Sequence, residues 1–173
     1  AVLYNNIPRK NFNQKSLRFF IGDYSSKEDI FKGTLRENID LSNPNIHFSE
    51  VVDVTSIVGL TDFISTLPNG FDTMLLPEGR NLPRNVVAKI ILARSIVTNP
   101  QLLAIEEFMA NIELKDRIRI AQLLTDRNKP WTLVAVTNDP ILACQCDRIF
   151  VMKDGEIIEE GNFEQIKQSV HFS

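Results

Sequence analysis

A chain of 173 residues is long enough for one full core or for two small lobes sharing an interface, and its net charge of −3 leaves no electrostatic footprint for nucleic acid. Hydrophobic residues at 43% and charged residues at 24% place it among ordinary globular chains, and no apolar run approaches the ~20 residues that cross a bilayer. The N-terminal AVLYNNIPRK is too short in apolar residues for a signal peptide, and Ala1 in place of an initiator Met reads as a processed or cut piece.

Residues 1–18 read as a polar loop around Pro8, with a short helical turn near Gln14–Arg18. Phe19-Phe20-Ile21 and Tyr24 predict a strand, which Ser25 to Asp29 break. Leu35–Ile39 predicts a short helix, and Asn43-Pro44 a turn. From Ser49 to Leu60 the apolar residues Val51, Val52, Val54, Ile57 and Val58 follow helical spacing, with Ser49 as N-cap and Gly59 as stop. A second short helix covers Thr61–Thr66, Leu67–Gly70 is a turn, and Phe71–Gly79 reads as extended or looped. Pro83–Val97 turns helical, with Pro83 at the first helical position. A helix from Leu114 to Arg127, an apolar strand Trp131–Thr137 and a short helix Ile141–Cys146 come next. A hairpin turning at Lys153-Asp154-Gly155 and a last helix capped by Asn162 close the chain. Cys144 and Cys146 are one residue short of a C-x-x-C spacing and read as free, mostly buried thiols; His47 and His171 fall in no ligand pattern. Trp131 and the phenylalanines read as packing residues, and Glu159-Glu160 as a solvated hairpin edge.

The stretch Pro100–Glu113, PQLLAIEEFMANIE, organises the rest. Leu102 to Ile105 run without a break into Glu106 and Glu107. Such a run reads as a strand buried on both faces, as in parallel sheets, whose ligands gather at the carboxyl ends of the strands. Two acids there can hold Mg²⁺ and orient a water, or be an ordinary strand end leading into a solvated loop. A hydrolase or metal enzyme built on this pair alone lacks a Ser/His/Asp or Cys/His set. Alternating strand and helix predict an α/β layer with a parallel sheet, into which residues 29–82 insert a helical lobe.

Several segments in this order resemble the nucleotide-binding (ATPase) domain of ABC transporters of the exporter type. KSLRFFIGDYSSKEDIFKGTLRENI is similar to the stretch around the Q-loop, and LPNGFDTMLLPEGRNL to the approach to the signature motif. AKIILARSIVTNPQLLAIEE is similar to the signature helix running into Walker B, and TLVAVTNDPILACQCDRIFVMKDGEIIEEGNFEQI to the H-loop and terminal hairpin. The resemblance implies a P-loop NTPase-like fold of mostly parallel sheet. Residues 1–28 would belong to the α/β core up to the Q-loop, 29–82 would form the inserted helical subdomain, and 83–173 would hold the signature helix, Walker B and H-loop.

It also implies roles, and here the chain departs from the family. The Q-loop glutamine falls on Ser26. The LSGGQ signature falls on Leu82-Pro83-Arg84-Asn85-Val86, where only the leucine remains and the glycines that let backbone N–H groups approach a phosphate are gone. The Walker B aspartate, a Mg²⁺ position, falls on Glu106, and the general base falls on Glu107. The D-loop aspartate falls on Glu113. The switch histidine falls on Asn138, which donates a hydrogen bond but cannot take up a proton or the charge that comes with it. No G-x-x-x-x-G-K-[ST] occurs among the seven glycines; in the family that loop precedes the region where this chain begins.

The expectation is therefore a catalytically degenerate ATP-binding cassette with ATP and Mg²⁺ as the family's cofactors, inactive or very slow alone. It would sit at the cytoplasmic face of a membrane, partnered by a transmembrane domain and a second nucleotide-binding domain. The alternative is a structural or regulatory docking module that inherits the fold without binding nucleotide.

Overall fold

The computed structural model describes residues 3–4, 7–13, 17, 19–25 and 28–168. A small antiparallel pair, β1 (Leu3–Tyr4) and β2 (Ile7–Pro8), precedes β3 (Ile21–Tyr24). Then β4 (Gly33–Thr34) leads directly into α1 (Leu35–Asp40). Thr34 and Glu37 form a capping box: the Thr34 hydroxyl accepts from the Glu37 N–H at 3.1 Å, and the Glu37 carboxylate accepts from the Thr34 N–H at 2.7 Å. Next come α2 (Phe48–Val58) and α3 (Thr61–Ser65), and β5 (Met74–Leu75) returns to pair antiparallel with β4.

The central element is α4 (Arg84–Ile96). Val86, Ala88, Ile90, Ile91, Leu92, Ala93 and Ile96 are buried, so the helix is apolar on nearly every side. A helix of that kind must be enclosed, and α4 packs against α1, α2 and β3. After it come β6 (Leu102–Glu106), α5 (Leu114–Leu124), β7 (Thr132–Val136), α6 (Pro140–Ala143), the hairpin β8 (Ile149–Lys153) and β9 (Glu156–Gly161), and α7 (Phe163–Ile166). Strands β3, β6 and β7 make a parallel sheet with β6 in the middle, Tyr24 beside Ile105 and Glu106 beside Val136. This is the α/β architecture with a parallel sheet that the alternating pattern predicts.

Two contacts root the other elements on α4. A Cβ on Gly22 would lie 2.0 Å from the Ser95 carbonyl oxygen, so only glycine lets β3 come this close. The Arg94 guanidinium donates to the Asn38 carbonyl at 2.7 Å and to the Asp29 carbonyl at 3.2 Å, while the buried Asn38 amide donates to the carbonyls of Phe31 and Thr34. One cation thus fixes both the loop after β3 and the helix that starts the lobe.

Several local expectations are corrected. His47, not Ser49, caps α2, its N–H donating to the Glu50 carboxylate at 2.7 Å, whereas Gly59 ends the helix as expected with φ 78°. Pro83 is the cap of α4 rather than its first residue, because its ψ of 143° is not helical. Helix α5 stops at Leu124, short of the expected Arg127, whereas Phe71–Gly79 holds the extended β5 as expected. Phe19 and Phe20 are helical and exposed, and the strand starts at Ile21. Phe31, Phe48 and Phe150 are exposed as well, while Phe108 is buried in the core. Strand β7 is not enclosed: Val134 is 55% and Val136 63% exposed. Cys144 is exposed and Cys146 half-buried. Most of the turn expected at Gln14–Arg18, together with Ser26 and His171, lies outside the described residues.

Candidate functional site

Because β3, β6 and β7 run parallel and in register, their carboxyl ends share one edge of the sheet. Ser25 follows β3, Glu106 ends β6, and Asn138 lies two residues beyond β7. The Ser25 hydroxyl donates to the Glu106 carboxylate at 3.4 Å, which joins the first two ends. Glu107 adopts φ 50°, a conformation uncommon for a residue with a side chain, and its N–H donates to the Val136 carbonyl at 2.9 Å. The sheet ladder therefore reaches one residue past Glu106, and the chain then turns sharply into the 3₁₀ segment Phe108–Asn111. Both Glu106 and Glu107 are exposed. The structure thus places Glu106, Glu107 and Asn138 along one edge of the sheet. Ser26, the expected Q-loop position, is outside the described residues, and its neighbour Ser25 stands at that strand end.

Beneath this edge the environment is acidic and partly buried. Burial raises the Glu28 carboxyl above its ordinary pKa, Asp23 repels it further, and Arg94 at 3.7 Å offsets part of the rise. Burial likewise raises the Tyr24 phenol, with its hydrogen bond to Asn111 acting against the shift. The Tyr24 ring meets Phe108 edge-on at 4.8 Å, so the turn after Glu107 rests on an aromatic pair beneath it.

The five residues at the signature position form a separate group. Leu82 packs against the core and Val86 is buried, whereas Pro83 and Arg84 are exposed. The Asn85 amide donates to the Glu113 carboxylate at 2.7 Å, and Glu113 also pairs with Lys115 at 2.9 Å. Two expected binding residues are thus engaged with each other. Sequence reasoning missed two residues that shape the site. Asp139 caps α6, accepting from the N–H groups of Ile141 and Leu142, and pairs with Arg117 at 2.8 Å. An acid directly before Pro140 was a readable capping signal. Arg117 carried no such signal.

Among the described residues no cluster of three or more His, Cys, Asp or Glu can hold a metal. Mg²⁺ needs only one or two carboxylates when phosphate and water complete its shell. Glu106 with the Ser25 hydroxyl supplies hard oxygen donors of that kind.

No protein-family model matches the chain. It is 32% identical over 166 residues to the ABC transporter ATP-binding protein YknV of Bacillus subtilis, covering 96% of this chain and 28% of that protein. The chain belongs to the ABC transporter ATP-binding family. A further relative of this ABC chain is the leukotoxin translocation ATP-binding protein of Mannheimia haemolytica, 29% identical over 153 residues, 88% of this chain and 22% of that protein. The ABC fold agrees: a bacterial Atm1-family ABC exporter with ATP bound superposes with a TM-score of 0.89 at 22% identity, over 98% of this chain and 30% of that one. The chain spans about a quarter of the length of the curated relatives named here.

Proposed function

We propose that this chain works as the nucleotide-binding domain of a membrane exporter, engaging Mg-ATP with a partner domain and hydrolysing it slowly or not at all. The observation that carries this reading is the shared edge of Ser25, Glu106, Glu107 and Asn138 at the carboxyl ends of three parallel strands. When bound, Mg-ATP supplies a phosphoryl group open to attack by water, with the ion neutralising phosphate charge. Glu106 and Ser25 would hold the ion, and Glu107 would accept the proton of the attacking water. Asn138 offers a hydrogen bond but cannot relay a proton. By the resemblance Arg84 and Asn85 replace the glycines that allow the close backbone approach, and Asn85 is held by Glu113. Groups in one catalytic site act together, so Glu107 alone supports little turnover.

In this proposal residues 1–28 and 83–173 form the α/β core and 29–82 the lobe. The partners are a transmembrane domain and a second nucleotide-binding domain at the cytoplasmic face of the membrane. Among the described residues no helix is long and apolar enough to cross a membrane. The Asn85–Glu113 bond favours a second reading, a docking module that binds no nucleotide.

The test is a melting curve of the chain with millimolar Mg-ATP. Ligand at ten times Kd adds about 1.4 kcal/mol, which raises Tm by about 3–5 °C for a chain of this size. An unmoved Tm favours the docking module or a piece cut from a longer chain. Any turnover must vanish in Glu107→Gln; turnover that survives removes Glu107 from the role of base.

A further inference from the structure

We propose that Arg117 is a positioning residue that clamps together the two loops carrying Glu113 and Asn138, so that neither can shift without the other. The proposal rests on the reading above only for its consequence, namely that both loops meet nucleotide. The clamp itself is a matter of this chain's geometry.

Arg117 lies in the first turn of α5 and is partly exposed. Its Nε donates to the Ile112 carbonyl at 3.0 Å, on the loop that leaves β6. Its Nη1 donates to the Asp139 carboxylate at 2.8 Å, on the loop that leaves β7. The guanidinium is a rigid plane, so two acceptors on one guanidinium stand at a set separation; a lysine ammonium on a flexible stem imposes no such spacing.

Each end of the clamp is itself held. The Asp139 side chain is 7% exposed, its Oδ1 accepts from the N–H groups of Ile141 and Leu142, and its own N–H donates to the Thr137 hydroxyl at 3.0 Å. Asn138 therefore sits between two fixed residues. On the other loop, Ile112 precedes Glu113, whose carboxylate holds Asn85 in the first turn of α4. Hydrogen bonds join Asn85 to Glu113 and, through Arg117, Ile112 to Asp139; the backbone carries the link from Ile112 to Glu113 and from Asp139 to Asn138. Three segments that the sequence singles out are joined through a residue it does not mark.

Hydrogen–deuterium exchange of the whole chain without nucleotide tests this. Asp139→Asn weakens one end of the clamp. Exchange at residues 109–113, on the other loop, is expected to rise about fivefold, while residues 51–58 stay unchanged. In an Arg117→Gln background the same substitution should add nothing at 109–113, since the link is already cut. Arg117→Lys keeps the charge and should still fail to restore the coupling. If Arg117→Gln does not fold, Arg117→Met serves as the background. The clamp is overturned if Asp139→Asn leaves residues 109–113 untouched in the native chain. It is equally overturned if the increment is the same with and without Arg117, or if lysine restores it in full. Failure of Mg-ATP to bind would sink the functional reading and leave this measurement intact.

Discussion

The Lys89 ammonium lies 2.5 Å from the Asp116 carboxylate, and both side chains are largely withdrawn from water, at 7% and 17% exposure. Lys89 belongs to α4 and Asp116 to α5, and the ammonium also reaches the Gly59 carbonyl at 3.4 Å. The end of α2 and the start of α5 thus meet on one charge. Removing one partner strands the other: Asp116→Asn or Lys89→Met should cost about 3 kcal/mol in urea unfolding. Replacing both with apolar residues of similar volume should cost far less. A double variant as unstable as the two single losses added together would mean that the ion pair is not what fixes these side chains.

Gly22→Ala should be among the most damaging small substitutions, at about 3 kcal/mol. The new methyl would meet the Ser95 backbone oxygen, and a backbone atom has no rotamer by which to step aside. Gly155→Ala is the control, because nothing lies within 4 Å of a Cβ there, although its φ of 84° brings a modest strain. Equal losses in the two would show that β3 does not need its close approach to α4.

The Glu28 carboxyl titrates above its ordinary range, chiefly because it is partly buried and secondly because Asp23 faces it. A raised carboxyl pKa means that the folded chain prefers the protonated form. That preference acts fully below the ordinary carboxylate range and fades as pH rises through the raised value. Glu28→Gln mimics the protonated state, so its Tm should exceed the native value by about 2 °C at pH 7 and converge with it in acid. A variant that melts lower at neutral pH would mean that the Arg94 pairing outweighs the desolvation.

Among the described residues β7 pairs only with β6, which leaves its other edge open, and Thr132, Val134 and Val136 are exposed along one face. An open apolar edge invites strand addition from another molecule. Val134→Lys should lower concentration-dependent light scattering while changing folding stability by no more than about 0.5 kcal/mol. Unchanged scattering would place the sticky surface elsewhere, with the exposed Phe150, Met152 and Ile157 of the terminal hairpin next to be tried.

The parallel sheet was legible because Leu102–Ile105 is uninterrupted and the strand–helix alternation leaves few other architectures. The cap of α4 was legible only to within a residue, since proline suits both the cap and the first turn. His47 escaped notice because its capping acts through backbone N–H and the Glu50 carboxylate, with Ser49 a more familiar signal beside it. The exposure of β7 could not be read from WTLVAVT, which looks the same whether covered or bare. At the site, Glu106 and Glu107 were legible from their place at a strand end, whereas Asn138 was singled out only by the family resemblance. Arg117, Lys89 and Arg94 were not found in those roles, because their work consists of reaching partners distant in sequence, and a lone cation on a helix looks like any solvated one.

Arg94 reaches back 56 residues to Asn38 and 65 to Asp29, while Ile21 pairs with Leu102 farther apart still along the chain. Once α4 is packed on the lobe, the stretch left to close between β3 and β6 is short, so the entropy cost of pairing the two strands falls. The lobe around α1, α2 and α4 should therefore form early and the sheet late, and weakening Arg94 should slow refolding more than it speeds unfolding.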